Sequence, residues 1–194
     1  MNRRDIYLKI LTGLFLIPVL CFIISGEAKA TPIDVYPDFA IQPQCVQEYL
    51  RRQPISVIDS DYLPIENPEN YSAVTKMYGA EGSDTYSYVE IYLRPSRQDS
   101  LTHEIGHMVS NYQNHPDWWC KQPFFETIWL AERGWLTPGY VYDNKNEWFA
   151  FCYECYVKYP IALKFMCPMT YNYIEVVLSY MALDNMMSAN SAAY

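Results

Sequence analysis

Two of the three histidines in this chain, His103 and His107, stand four positions apart and have an acid, Glu104, between them. Residues at this spacing lie one turn apart on the same face of an α-helix, so both imidazoles can reach a single metal ion. Glu104 lies beside them, where it can accept a proton from a metal-bound water. This arrangement is typical of the metal-binding helix of zinc peptidases, and it predicts that the surrounding residues are helical.

The residues around the motif favour such a helix. Asp99 or Ser100 can cap its start. Apolar residues then recur at helical spacing and predict a buried stripe, which comprises Leu101, Ile105, Met108, Val109 and Tyr112. Gly106 is a poor helix former, at a cost of about 1 kcal/mol relative to alanine, and a small residue here permits the close approach of another backbone or of the metal site. The alternative is an amphipathic helix that carries two ordinary polar histidines.

A catalytic zinc ion needs a third protein ligand. The metzincin pattern is excluded, because positions 110 and 113 hold serine and glutamine instead of glycine and histidine. A second helix is predicted to end at Lys158, and Asp143 or Asn144 can cap its start. Glu147 and Glu154 share one face of this helix. The residues alone leave either glutamate as the third ligand.

The start of the chain is typical of an export signal. Residues 1–30 combine a basic start, an apolar run from Ile10 to Ile24 and the small-x-small cleavage pattern Ala28-Lys29-Ala30. We therefore predict a signal peptide at 1–30 and a protein that is secreted or held in the cell envelope. A retained N-terminal anchor is the alternative.

The acidic net charge limits the kinds of molecule that the protein is expected to bind. The chain has a formal net charge of −8, which disfavours nucleic acids and anionic membranes. We expect a peptide or protein substrate, a monomer, and no stable membrane association after signal cleavage.

Five cysteines would remain after cleavage, an odd number whose pairing the sequence leaves open. For Cys152 and Cys155 we expect packing, or a disulfide to a distant partner, instead of metal binding.

A β-hairpin is predicted from Val74 to Leu93, because turn residues precede a segment of alternating polarity. One face of the second strand is mostly apolar, and the other holds Tyr86, Tyr88, Glu90 and Tyr92. Zinc peptidases of this type place an edge strand just before the metal helix, which implies that this strand lies at the edge of a sheet, where it can bind an extended peptide by strand addition. The tyrosine face would then line a substrate groove. The alternative is an ordinary amphipathic strand of the sheet.

The first motif is followed, some forty residues later, by a tyrosine seven positions before Glu-x-Phe-Ala, here Tyr140 and Glu147 to Ala150. This combination resembles the catalytic domain of anthrax lethal factor and the secreted bacterial Pro-Pro endopeptidases, over roughly residues 74–181. The resemblance implies that Glu147 completes a glutamate-zincin site with His103 and His107. It also implies that Tyr140, selected over Tyr142 only by the family spacing, points at the zinc and stabilises the oxyanion. Phe151 is a departure, since relatives often carry an acid there.

The resulting prediction is one α+β domain with a zincin-like fold. A small mixed sheet, with an edge strand packed on the zinc-ligand helix, is followed by a mainly helical C-terminal half. Residues 31–70 form an extended lead-in and a first strand, and residues 71–194 form the catalytic part of the same domain. The aromatic residues between 118 and 135 are expected to serve core and helix packing. The alternative, implied by the family, is that some of them form an apolar substrate subsite near the metal.

We therefore expect a secreted zinc metalloendopeptidase with one Zn²⁺ per chain. His103, His107 and Glu147 would hold the zinc, and Glu104 would act as the general base toward a zinc-activated water. The alternative is a secreted, non-catalytic binding protein with a degenerate or structural zinc site.

Overall fold

The computed structural model describes residues 30–79, 87–112, 119–135 and 143–191. Tyr140, the hairpin turn and the predicted signal peptide, apart from Ala30, lie outside these ranges. Within them the protein has the predicted α+β fold, in which a small mixed sheet precedes a mainly helical C-terminal half. The strands are β1 (Ala30–Thr31), β2 (Ile55–Asp59), β3 (Ala73–Tyr78) and β4 (Tyr88–Leu93).

The sheet has the strand order β1-β2-β4-β3. The predicted hairpin is confirmed, because β3 and β4 pair antiparallel from Ala73 opposite Leu93 to Tyr78 opposite Tyr88. However, β4 also pairs with β2, in parallel, and therefore lies inside the described sheet. The expected edge position of β4 was wrong, and β3 holds it instead. The sequence could not show this, since the β2–β4 pairing joins segments more than thirty residues apart.

Proline begins several of the helices, where its fixed φ is suited to the first turn and its missing N–H is not needed. The helix that begins at Lys145 ends at Lys158 before Pro160, as predicted. None of the helices in the described residues is both long and apolar enough to cross a membrane. The α-helices are α1 (Pro37–Ala40), α2 (Gln44–Arg52), α3 (Leu101–Ser110), α4 (Pro123–Glu132), α5 (Lys145–Lys158), α6 (Pro160–Met166) and α7 (Pro168–Ser191).

The core is one buried cluster that joins one face of the sheet and the helices α3 and α5 with the inward faces of α2, α4 and α7. The predicted stripe of α3 is buried along its whole length, from Leu101 to Tyr112. The alternation of β4 is also confirmed, because Val89, Ile91 and Leu93 are fully buried. Of the aromatic residues expected in the core, Phe125 and Trp129 are buried, whereas Phe124 and Trp135 are exposed.

The start of α3 is held by a residue that the sequence did not indicate. Ser100 stands at the N-cap without a side-chain cap bond, and the Asp99 side chain pairs with Arg97. Instead, Asp38 accepts hydrogen bonds from the Thr102 N–H at 3.2 Å and from the Thr102 hydroxyl at 2.6 Å. The expected local cap was therefore wrong. A carboxylate from α1, in the lead-in segment, satisfies the first turn of the motif helix.

All five cysteines of the described residues are free thiols. Cys152 and Cys167 are fully buried, and burial raises the pKa of the Cys152 thiol well above its ordinary value. These thiols pack as small apolar groups in the helical half.

Helix α7 begins at a buried carboxylate. Glu132, the last residue of α4, is buried and accepts hydrogen bonds from Met169 N at 2.8 Å and Thr170 N at 2.9 Å. It also accepts one from the Thr170 hydroxyl at 2.7 Å. One side chain therefore caps α7 and fixes its start against the end of α4.

Replacing this cap will destabilise the protein. We expect Glu132→Ala to lower the free energy of unfolding by about 2 kcal/mol or more, because it leaves buried donors without an acceptor. Glu126→Ala is the matched control on the same helix. Its partly exposed ion pair with Lys145 is worth at most about 1 kcal/mol. Urea denaturation of the two variants measures the difference, and equal losses would contradict the assigned cap.

Candidate metal centre

Helices α3 and α5 touch through their backbones at the centre of the first motif. A Cβ atom added to Gly106 would lie 2.8 Å from the Cα atom of Ala150 and 2.9 Å from its carbonyl oxygen. Only glycine fits this contact, which confirms the expected role of a small residue. Gly106 lies between the two histidines, and Ala150 lies one turn after Glu147. The contact therefore brings Glu147 to the histidine face of α3.

Three donor atoms converge at this crossing. The Oε2 atom of Glu147 lies 3.2 Å from Nε2 of His103 and 3.6 Å from Nε2 of His107. The two imidazole rings stand nearly perpendicular, at 84°, with their centroids 5.0 Å apart. Asn144 fixes the first turn of α5, because its side chain accepts hydrogen bonds from Asn146 N and Glu147 N. This is one of the two caps expected from the sequence.

The carboxylate and imidazole side chains of this cluster stabilise each other's charged forms. Burial acts to raise the pKa of Glu147, but hydrogen bonds from His103 and His107 outweigh it and hold this pKa well below its usual range. Burial acts to lower the pKa of His107, yet the hydrogen bond to Glu147 and the charge of Glu104 raise it above its ordinary value. The site therefore attracts positive charge. Two imidazole nitrogens and a carboxylate oxygen are donors that suit zinc.

Glu104 is buried and belongs to the same cluster. His103, Glu104 and His107 form a candidate metal-binding group whose donor atoms lie within 4.8 Å of one another. Burial raises the pKa of Glu104, while the neighbouring histidines and a hydrogen bond from Thr75 oppose the rise. The Thr75 hydroxyl donates to Glu104 Oε2 at 2.7 Å, so this carboxylate is held toward β3. Glu147, in contrast, contacts both histidine Nε2 atoms.

Glu154 lies on the other side of the His103 ring. Its Oε2 atom is 3.8 Å from His103 Nδ1, and its Oε1 atom accepts a hydrogen bond from Lys158 at 2.9 Å. Lys158 also lies 3.6 Å from Asp38, the residue that caps α3. Of the two glutamates that the sequence left open, Glu147 is therefore the one beside the converging nitrogens, and Glu154 backs His103.

The cluster opens into a cleft of about 660 Å³. Its walls come from the β2–β3 loop, strand β3 and the facing sides of α3 and α5. The lining includes Ile65, Tyr71, Val74, Thr75, Met77, His103, Glu104, His107, Glu147, Phe151 and Glu154.

The tyrosine face of β4 does not contribute to this lining. Tyr88 and Tyr92 are absent from the described walls of the cleft, and Tyr88 stacks on Tyr78 instead. The opposite face of β4 packs against the core beside α3. Tyr88 and Tyr92 therefore point away from the metal-ligand candidates. The predicted tyrosine-lined groove was wrong for these two residues. Tyr86 and Tyr140 lie outside the described residues.

The fold and this largely buried His-Glu-His group indicate a protein of the metallopeptidase-like kind. A family model, described as anthrax toxin lethal factor, N- and C-terminal domain, matches residues 52–177. The match covers more than half of the chain, and the chain belongs to this family. It includes β2, the hairpin, α3 and α5. A comparison with curated proteins finds no match.

The backbone contact at Gly106 has a measurable signature. Alanine ordinarily stabilises a helix interior by roughly 1 kcal/mol relative to glycine. We expect Gly106→Ala to do the reverse and to lower the free energy of unfolding by about 1 to 3 kcal/mol, because its Cβ would overlap the Ala150 backbone. Gly134→Ala is the control, since a Cβ there meets nothing within 4 Å. Unfolding free energies that are equal in the two variants would contradict the contact.

Proposed function

We propose that this protein is a secreted zinc-dependent metalloendopeptidase. The observation that carries the proposal is the convergence of His103 Nε2, His107 Nε2 and Glu147 Oε2 beside a second, buried glutamate in an open cleft. Membership of the lethal factor family supports it. The predicted export signal in residues 1–30 favours a secreted or envelope location, and the net charge of −8 favours a peptide substrate over a nucleic acid.

His103, His107 and Glu147 would hold one zinc ion. When bound, zinc lowers the pKa of a water ligand to about 7 and polarises the scissile carbonyl. Glu154 lies behind His103, with its Oε2 atom 3.8 Å from Nδ1, and Lys158 pairs with Glu154 at 2.9 Å, so this carboxylate stands where one commonly orients a ligand histidine. Glu147 is kept in place by the Asn144 cap.

Glu104 would be the general base. It accepts a proton from the attacking water and then delivers it to the leaving amine, so the peptide bond breaks and the water is consumed. Burial favours this role, because a carboxylate with a raised pKa accepts a proton more readily. We also assign Tyr140, from the family spacing, as a hydrogen-bond donor to the developing oxyanion.

Strand β3 would bind the substrate. Val89 N donates to Pro54 O and Ser60 N to Leu93 O, so the odd-numbered residues of β4 turn their backbone groups toward β2. The even-numbered residues therefore face β3 and bond to Val74, Lys76 and Tyr78, which stand opposite them. The backbone groups of the alternate residues Ala73, Thr75 and Met77 therefore face the outer edge of the sheet as the described residues form it. An extended peptide can add there as a further strand.

Replacing the proposed base tests this function. We expect purified protein to contain about one zinc ion per chain and Glu104→Gln to keep this zinc, because Glu104 is not a proposed ligand. The same variant should lose hydrolysis by about 100-fold or more, because no base accepts the water proton. Glu147→Gln should lose zinc. Glu69→Gln, an exposed loop residue, is the control and should change neither quantity.

The measurements are the zinc content by elemental analysis and the cleavage of a peptide library. A zinc-free active protein, or unchanged cleavage by Glu104→Gln, would contradict the mechanism. Zinc without cleavage in the parent protein would favour the non-catalytic binding protein.

Arg94 holds the loop that forms one wall of the proposed substrate cleft. Its guanidinium donates to the carbonyl oxygens of Tyr71 at 2.9 Å, Asp61 at 3.2 Å and Pro68 at 2.7 Å. Three points of the loop between β2 and β3 therefore depend on one side chain. Arg94 lies behind this wall, and Tyr71 itself lines the cleft.

Loss of Arg94 should affect substrate binding more than the chemical step. We expect Arg94→Ala to raise KM by about 3- to 10-fold and to leave kcat within about twofold, because the loosened wall binds substrate less well. Arg51→Ala, on the exposed side of α2, is the control. Peptide kinetics give both constants, and hydrogen exchange of residues 61–72 reports the loosening of the loop directly. An unchanged KM together with unchanged exchange would contradict this role.

A further inference from the structure

Thr75 is a polar residue in the middle of an apolar sheet face. On that face of β3 its neighbours are Ala73 and Met77, and the residue opposite it on β4 is the fully buried Ile91. A β-branched apolar side chain would pack there equally well. The hydroxyl of Thr75 instead donates to Glu104 Oε2 at 2.7 Å.

This contact gives the buried Glu104 carboxylate a hydrogen-bond donor. Glu104 is only 5 % exposed, and a buried carboxylate is costly unless hydrogen-bond donors satisfy it. The Thr75 hydroxyl donates to one carboxylate oxygen, Oε2, and this hydrogen bond restricts rotation of the carboxylate about the bond that joins it to the side chain. The other oxygen, Oε1, is left to accept a proton.

Thr75 also lies where a peptide would bind. The pairing pattern places its backbone N–H and C=O at the open edge of β3, whereas its side chain contacts α3. One residue therefore connects the edge strand with the buried acid of the motif helix. Among the side chains of the described residues, Thr75 is the one that donates a hydrogen bond to the Glu104 carboxylate.

We propose that Thr75 is a positioning residue that holds Glu104 in the orientation required of a general base. This inference rests on the proposed peptidase function. A substrate that adds along β3 would contact the Thr75 backbone, while the Thr75 hydroxyl orients Glu104. The same residue would therefore take part in substrate binding and in placing the general base. A base displaced by about 1 Å can lose about 100-fold in rate, which sets the scale of the effect.

The test compares Thr75→Val with Thr75→Ser in the zinc-loaded, full-length protein. Valine keeps the shape and removes the donor, whereas serine keeps the donor and removes a methyl group. We expect Thr75→Val to lower kcat by about 10- to 100-fold with KM within about twofold. Thr75→Ser should remain within about threefold of the parent, and zinc content should be unchanged in both. Thr127→Val, on the exposed side of α4, controls for the substitution itself.

A thermal double-mutant cycle supplies a second measurement that does not depend on activity. Thr75→Val is made in the parent and in Glu104→Ala, and the two changes in Tm are compared. We expect Thr75→Val to lower Tm in the parent and to have little effect once Glu104 is gone. Additive changes in Tm would overturn the contact. Equal losses of kcat in the valine and serine variants would overturn the positioning role.

The two measurements separate this inference from the proposed function. If the parent protein cleaves no peptide, the peptidase proposal fails, and the positioning of a general base fails with it. A coupled cycle would then show only that Thr75 satisfies a buried carboxylate. If the parent cleaves peptides and Thr75→Val retains full kcat, the peptidase proposal stands and the role of Thr75 is overturned.

Discussion

The backbone contact between Gly106 and Ala150 is the constraint on which the candidate site depends. Helices that cross over two larger side chains lie farther apart, at 8–10 Å between axes according to the side chains in contact. Here a missing Cβ lets α5 approach until Glu147 reaches both histidines. The two sequence motifs are therefore halves of one packing unit. Each contributes a small residue at the crossing and, one turn before it, a metal-ligand candidate, His103 or Glu147, while His107 directly follows Gly106.

The surrounding structure holds these two helices at both ends. Asp38 caps α3 and also contacts Lys158 near the end of α5, so the lead-in segment ties the helices together. Lys158 in turn holds Glu154 behind His103. On the sheet side, Thr75 reaches Glu104 from the open edge of β3. The ligand candidates thus rest on rigid elements and the substrate edge on a strand, an arrangement that favours a preorganised site.

Local signals in the sequence were enough for much of this picture. The motif helix, its buried stripe, the Asn144 cap and the hairpin all follow from spacing and residue type within a short window. Contacts between distant segments could not be predicted this way. Asp38 lies 64 residues before Thr102, and Thr75 lies 29 before Glu104. The expected edge position of β4 was wrong for the same reason, because no local sequence pattern indicates its parallel pairing with β2.

Glu147, and not Glu104 or Glu154, is the proposed third zinc ligand beside the two histidines. Crystallography of the zinc-loaded protein, with data collected on both sides of the zinc absorption edge, tests it most directly. We expect one anomalous peak at about 2.0 to 2.2 Å from His103 Nε2, His107 Nε2 and a Glu147 carboxylate oxygen. A peak coordinated by Glu104 or Glu154 in place of Glu147, or no peak between the histidines, would contradict it.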